Sequence, residues 1–307
     1  MSRNDISIRN SFQKNILTFL IIILILILIG YLIHNNISSK KITTYNVDTV
    51  DELKSENDSE TQENSNNDKG IIQNMQSFNE STLVNDNRGV PVLYYHSVRE
   101  SADNEVTITP EMLKTQLKYI KDEGYVTLTL RELKEYLLNN SPIPNKSIVL
   151  TFDDGYMDNY HSAFPILKDF NMVATIFCIT SNLDGTYYLS KDAITEMSNY
   201  GIDIQSHTVN HPHLDKMNYD EQLTELKESK KTLESIIGKK VNSIAYPFGA
   251  FNDDSINAAK AAGYTLGFTT KRGVSDREDN PLELDRIYIS SKYDMNTFKE
   301  VLAKAEK

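Results

Sequence analysis

Residues 89–307 alternate apolar, strand-like runs with amphipathic helical stretches. That alternation predicts an α/β fold with parallel strands covered by helices, either a barrel or a doubly wound sheet. A second observation narrows its use: polar, chemistry-bearing residues gather just past the predicted strand ends. A third is negative. No G-x-G-x-x-G opens a helix and no G-x-x-x-x-G-K-[ST] occurs, so a nucleotide-binding reading has no support.

The elements follow in order. Pro91-Val92-Leu93-Tyr94-Tyr95 is a short apolar and aromatic strand ending at His96. Residues 110–123 carry apolar positions at Met112, Leu113, Leu117 and Ile120, a helical stripe that stops at Gly124. Tyr125–Leu128 reads as a strand and Leu130–Leu138 as a helix closed by Asn139-Asn140-Ser141-Pro142. Ser147–Phe152 is a buried strand, Tyr160–Phe170 a helix and Ala174–Ile179 a strand. Asp192–Asn199 is a helix, Ile202–Ile204 a strand, and Tyr219–Ile237 a long helix ending at Gly238. Val241–Tyr246, Tyr264–Thr269 and Ile287–Ile289 are strands, and Asp253–Ala262 and Asn296–Lys304 helices.

Upstream the chain changes character. Residues 16–33 are nearly all apolar, and as a helix they span ~27 Å, about the hydrocarbon thickness of a bilayer. Arg3, Arg9 and Lys14 precede the run, which puts the N-terminus in the cytoplasm. The run exceeds the ~7–15 residues of a signal peptide core and no small-x-small cleavage pattern follows, so an uncleaved anchor is expected. Residues 34–88 are rich in Asn, Ser, Asp, Glu and Thr and bury too little apolar surface to fold alone, which predicts a solvated, disordered tether. The domain reading is a cytoplasmic 1–15, an anchor at 16–33, a linker at 34–88 and one globular unit at 89–307, outside the cell. The net charge of −11 excludes an ordinary nucleic-acid binder. Cys178 is the sole cysteine, which excludes an intrachain disulfide and a thiolate zinc site and fits a small core residue.

Parallel strands bring their C-terminal ends to one face, so distance along the chain ceases to matter there. Asp153-Asp154-Gly155, then Ser206-His207-Thr208-Val209-Asn210-His211, then Pro247-Phe248-Gly249, and His96 all follow predicted strands. One carboxylate and two imidazoles make a three-ligand site for a divalent ion with positions left open. His207 and His211 share a face if their segment is helical, and His213 nearby is a competing ligand. Asp153 and Asp154 are adjacent and point apart, so one is free to bind an ion while the other takes a proton from water. The chemistry indicated is metal-assisted hydrolysis of an amide or ester. Singly, Asp-Asp-Gly is an ordinary turn and His-x-x-x-His a common pair; their joint position carries the inference.

At this point a family resemblance enters. Thr151-Phe152-Asp153-Asp154-Gly155 resembles the first motif of the polysaccharide deacetylases, the family 4 carbohydrate esterases. Ser206-His207-Thr208-x-x-His211 resembles the second motif and Pro247-Phe248-Gly249 the third, and the similarity covers about residues 90–290. The resemblance implies a distorted (β/α) barrel and metal-dependent removal of acetyl groups from N-acetylated glycans. It implies Asp153 as general base and Asp154, His207 and His211 as ligands of a divalent metal, zinc as a rule. It also implies that Thr208 orients the acetyl group and that the Phe248 backbone N–H stabilises the oxyanion. Tyr156, Tyr246, Phe248, Tyr187 and Tyr188 are candidates for stacking on sugar rings, with Pro247 a further substrate contact.

Two departures matter. Ala245 stands where much of the family has an arginine, and Arg286 in Leu284-Asp285-Arg286-Ile287-Tyr288 is the candidate to orient the base instead. The family's late Leu-x-His is missing, since no histidine follows His213. Val92-Leu93-Tyr94-Tyr95-His96-Ser97 resembles the start of the poly-N-acetylglucosamine deacetylase subgroup, which implies His96 as general acid. The expected activity is N-deacetylation of a cell-surface N-acetylglucosamine polymer, poly-β-1,6-linked for preference. Peptidoglycan or chitooligosaccharide deacetylation, O-acetyl ester cleavage and a catalytically silent glycan-binding domain are the alternatives.

Overall fold

The computed structural model describes residues 82–101 and 103–305. The expected anchor at 16–33 and the linker up to residue 81 lie outside the described residues. Among the described residues no helix is long and apolar enough to cross a membrane.

Seven parallel strands form the centre: β1 (Val92–Tyr95), β2 (Ser147–Phe152), β3 (Thr175–Cys178), β4 (Asp203–Ser206), β5 (Ser243–Ala245), β6 (Leu266–Arg272) and β7 (Leu284–Tyr288). Each pairs with the next in the chain, and β1 closes the ring between β7 and β2. Of the two closures left open above, the sheet is therefore a barrel. Among the described residues seven α-helices accompany them: α1 (Pro110–Asp122), α2 (Leu130–Asn139), α3 (Phe164–Phe170), α4 (Lys191–Tyr200), α5 (Tyr219–Ile237), α6 (Asp253–Ala261) and α7 (Met295–Ala305). Both α1 and α2 lie in the β1–β2 connection, with a two-residue strand, Val126–Thr127, that pairs with the start of β2.

The barrel is uneven, and the unevenness has local causes. Between β4 and β5 only Ile244 and Ser206 pair. There the Gln205 side chain substitutes for backbone, its Oε1 accepting from Asn242 N and Ser243 N at 2.9 Å each. The β6–β7 register shifts between Phe268 and Arg272.

Helix boundaries follow cap chemistry. Thr129 with Glu132 and Asn218 with Glu221 form capping boxes at the starts of α2 and α5. Gly238 ends α5 in the left-handed region, as the sequence predicts. The expected helix from Tyr160 begins instead as a π-turn, Asn159–Ala163, before α3.

Apolar side chains separate into two clusters. One lies between strands and surrounding helices. The other holds Val92, Val149, Phe177, Ala245, Leu266, Phe268 and Leu284, alternate residues of the strands, together with Leu130, Leu133, Tyr136 and Leu137 of α2. The lumen is thus packed, and α2 covers its N-terminal end.

Residues 82–88 fall in the linker by sequence but lie against this helix. Leu83–Val84 pairs antiparallel with Ile143–Pro144. Tyr136 Oη accepts from Arg88 N at 2.9 Å and bonds the Arg88 carbonyl at 2.6 Å. Leu83 and Val84 give this stretch an apolar pair that the acidic composition around them masks. Tyr136→Phe should cost about 1–2 kcal/mol in urea unfolding. Proteolysis should then cut faster near residues 82–90.

Candidate active site

Backbone strain concentrates at the barrel's C-terminal face. Among the described residues six non-glycine positions have positive φ, and Asp154, Thr208, His211 and Phe248 are four of them. The other two, Asn140 and Asn171, are helix C-caps. Strain held at such positions is characteristic of sites where side-chain direction matters more than local comfort. The chain leaves β2 through Asp153 and turns with Asp154 and Gly155 both at φ 73°. Glycine suits position 155 on two counts, since its φ is positive and a Cβ there would crowd Cys178 at 3.1 Å from Sγ and 3.2 Å from Cα.

The turn sends the two carboxylates apart. Asp153 points into the lumen, where Arg286 Nη1 and Nη2 donate to its two oxygens at 2.8 and 2.7 Å. Arg286 is completely buried. Its Nε donates to the Thr269 carbonyl at 2.9 Å, and its guanidinium lies 4.2 Å from the Tyr94 ring centroid. Burial alone would raise the Asp153 pKa, but the Arg286 charge and hydrogen bonds outweigh it and hold the group below its ordinary 3.8.

Asp154 points to the two histidines. Its Oδ1 lies 3.4 Å from His207 Nε2 and 3.4 Å from His211 Nε2, and the two Nε2 atoms are 3.2 Å apart. A tetrahedral ion with bonds of about 2.0–2.1 Å sets its ligand atoms about 3.3 Å apart, so this triangle has the right edges. His207 Nδ1 donates to the Ala245 carbonyl at 2.7 Å, which fixes the ring and turns Nε2 towards Asp154 and His211. Burial and the His207 charge push His211 down to about 4, keeping it neutral. Burial works against the charge on Asp154 too, yet the surrounding imidazoles hold its pKa below the ordinary carboxylate value. These three are the one such ligand group among the described residues.

His207 and His211 do not converge through a helix, contrary to the condition set above. Residues 207–213 form a loop, with Thr208 and His211 in the left-handed region. Glu225 of α5 organises it, its Oε2 accepting from Val209 N and Asn210 N at 2.9 Å each. Thr208 is fully buried, and its Oγ1 accepts from His211 N at 3.0 Å. It shapes the loop and does not face substrate, which corrects the expected acetyl contact. Tyr246 is a second correction. It is completely buried, stacks on Phe251 and donates to the Leu282 carbonyl at 2.9 Å, so it is a strut between β5 and the β6–β7 connection. Pro247 is also buried and starts the tight turn Pro247–Gly249.

The remaining expected residues meet at the rim. His96 follows β1, with its ring near Tyr94 and Tyr288 and its Nδ1 buried without a partner among the described residues. Burial lowers its pKa against the opposing pull of Asp153 and Asp154. Phe248 is 57% exposed and packs edge-on against His211 and flat on His213. His213 thus serves as the face of an aromatic stack and not as a member of the ligand triangle. Tyr156 stacks on Tyr188 and meets Tyr187 edge-on, and the charge of Asp154 helps burial to raise its pKa.

Residues 140–267 match the sequence profile described as Polysaccharide deacetylase. YxkH of Bacillus subtilis is 34% identical over 201 residues, covering 66% of this chain and 71% of that protein. The poly-beta-1,6-N-acetyl-D-glucosamine N-deacetylase of Staphylococcus epidermidis is 30% identical over 227 residues, covering 65% of this chain and 78% of that protein. The chain belongs to the polysaccharide deacetylase family. Among solved structures, the Streptococcus pyogenes deacetylase PplD in complex with acetate superposes with a TM-score of 0.67 at 33% identity, covering 72% of this chain and 100% of that one. IcaB from Ammonifex degensii gives 0.64 at 25% identity, covering 72% and 98%.

Sequence reasoning about this deacetylase missed the partners behind the site. Glu225 could have been suspected as an acid on the inward stripe of a predicted helix. The carbonyls of Ala245 and Thr269 leave no trace in sequence, because backbone atoms are the same in every residue.

Arg286→Met should destabilise the deacetylase by about 3–5 kcal/mol in urea at neutral pH, since it leaves Asp153 charged and unpaired. In the wild type, Asp153 has a lowered native pKa, so its contribution is complete above about 3.8 and is lost as pH falls through the lower native value. In the variant the sign reverses, and the deficit should shrink on acidification as the orphaned carboxylate takes a proton. Tyr246→Phe should lower stability by about 1 kcal/mol and leave kcat/KM within twofold, a result that separates strut from substrate contact.

Proposed function

We propose that this polysaccharide deacetylase removes N-acetyl groups from an N-acetylglucosamine polymer, poly-β-1,6-N-acetylglucosamine foremost, using a divalent metal, with zinc first. The ligand triangle of Asp154, His207 and His211 is the observation that carries the reading, because its edges and its fixed His207 ring suit a small tetrahedral cation. The name of the staphylococcal relative favours the β-1,6 polymer. A divalent ion held there supplies Lewis acidity, polarising the acetamide carbonyl and acidifying water.

The chain's own residues account for the rest. Asp153, kept ionised by Arg286, takes the proton from the attacking water. The Phe248 backbone N–H, in the turn begun by Pro247, donates to the oxygen that gains charge. His96 gives a proton to the sugar nitrogen as the C–N bond breaks, and its lowered pKa makes its protonated form a stronger acid. Acetate leaves and the sugar keeps a free amine. Tyr156, Tyr187 and the Phe248 ring flank the metal-binding triangle and offer faces to the glycan.

The apolar run at 16–33 anchors the enzyme in the cell membrane in this reading, with residues 1–15 cytoplasmic. The linker at 34–88 then carries the catalytic unit outward to a polymer too bulky to approach the bilayer. The basic flank and the length of the run support that orientation.

Acetate release from poly-β-1,6-N-acetylglucosamine and from purified peptidoglycan, each with and without a chelator, tests the reading. Chelator-sensitive release, faster from the first polymer, is expected. No release and no bound metal would point to a silent glycan-binding domain. Asp153→Asn should bind the same stoichiometry of zinc yet lose turnover by at least about 10³-fold.

A further inference from the structure

The loop that follows β2 carries Asp153 and Asp154, and it also grips the segment that carries His96. The backbone ladder between β1 and β2 ends where Asp153 N donates to the Tyr95 carbonyl at 2.9 Å. Beyond that bond the two chains part, and side chains take over. Asn159 Nδ2 donates to the His96 carbonyl at 2.7 Å. Asp158 Oδ2 accepts from Ser97 Oγ at 2.6 Å, and its Oδ1 accepts from Val98 N at 2.9 Å. Asn159 Nδ2 also reaches Asp158 Oδ1 at 3.2 Å, which joins the two grips. The opposite edge of the stretch is paired with backbone. Ser97 N donates to the Val106 carbonyl at 3.3 Å and Arg99 N to the Ile108 carbonyl at 3.0 Å. Residues 96–98 are thus held from both sides, one of them by the loop of the base.

Two further observations single out Asn159. It is completely buried and opens the π-turn Asn159–Ala163, its carbonyl accepting from Phe164 N. A π-turn fits an extra residue into one turn, re-aims the side chains around it and recurs at functional sites. In addition, His96 Nδ1 and Asn159 Oδ1 are both buried without a hydrogen-bond partner among the described residues. One carries a proton when the imidazole is charged and the other is an acceptor, on two residues that are already bonded. With Nδ1 sealed, the part-exposed ring of His96 meets substrate through Nε2. The ring touches Tyr94 and Tyr288, but the hydrogen bonds that fix its place act on its backbone.

A general acid must lie within about 2.6–3.2 Å of the atom it protonates, and a misplacement of about 1 Å costs about 10²-fold. We propose that Asp158 and Asn159 are positioning residues for proton delivery, setting His96 Nε2 against the departing sugar nitrogen by holding the backbone of residues 96–98. This rests on the reading of His96 as proton donor and deepens it. One loop, 153–159, then sets the base, a metal ligand and the donor together.

The test compares two acetyl donors, using the zinc-loaded full chain in detergent. A β-1,6-linked N-acetylglucosamine oligomer releases an amine, which needs a proton as the C–N bond breaks. p-Nitrophenyl acetate releases a phenolate that needs none, so a misplaced acid affects it far less. The readout is the ratio of oligomer kcat to ester kcat. Asn159→Ala should lower it about 10²-fold and Asp158→Ala about tenfold, with oligomer KM within about twofold. Asp158→Asn, whose amide oxygen still accepts from Val98 N, should recover most of the loss. His96→Gln should lower the ratio at least as far as Asn159→Ala, and adding Asn159→Ala to it should lower the ratio no further. Both rates falling by one factor in the alanine variants would show a structural role alone and overturn the proposal. Ratios that stay at the wild-type value in both would overturn it equally. A wild-type ratio in His96→Gln would overturn His96 as donor, and the proposal with it. Absence of acetate from the oligomer with the wild-type chain would overturn the deacetylase reading itself.

Discussion

The structure depends on one buried ion pair. Asp153 and Arg286 meet inside a barrel whose other lumen residues are largely apolar, where an unpaired charge would be costly. Their two parallel hydrogen bonds, the Thr269 carbonyl and the Tyr94 face leave the guanidinium satisfied on several sides. The pair also sets the direction of everything above it. With Asp153 committed downward, the next residue must turn outward, and the left-handed turn at Asp154 and Gly155 follows. Asp154 then reaches the two imidazoles.

The rim obeys the same logic of buried anchors under strained loops. Thr208, Glu225 and the Ala245 carbonyl hold the histidine loop in a conformation that Thr208 and His211 would not choose alone. Each anchor sits on a different element, so the triangle is as rigid as the barrel that spaces those elements. Such preorganisation is the structural form of catalytic power, since no rearrangement is needed when charge develops. Two aromatics, Tyr187 and Phe248, stay exposed at this rim.

Much of this was legible before any coordinates. Alternating apolar runs located the seven barrel strands because buried parallel strands are apolar throughout. Arg286 was identifiable as a partner for the base once Ala245 was seen where the family has arginine. Other features were not legible. Tyr246 reads as a platform in sequence because aromatic rings suit both sugars and cores, and only the Leu282 carbonyl decides between them. The spacing of His207 and His211 suggested a helix, but positive φ at Thr208 and His211 produces the same convergence through a loop. Leu83 and Val84 were hidden by the acidic composition around them. Spacing reports which side chains can share a face; it does not report which backbone makes them do so.

The ion pair has a consequence for when the enzyme comes into being. Its partners are 133 residues apart, the carboxylate on the second strand of the barrel and the guanidinium on the last. Until β7 docks, a partly assembled barrel holds an uncompensated negative charge facing an apolar lumen, and no nearer contact along the chain relieves it. Closure of the ring and the pairing of this carboxylate are thus a single event, and a bond across 133 residues belongs with the contacts that form late. A chain cut short before Arg286 has Asp154, His207 and His211 in full and yet leaves the Asp153 carboxylate without the partner that holds its direction.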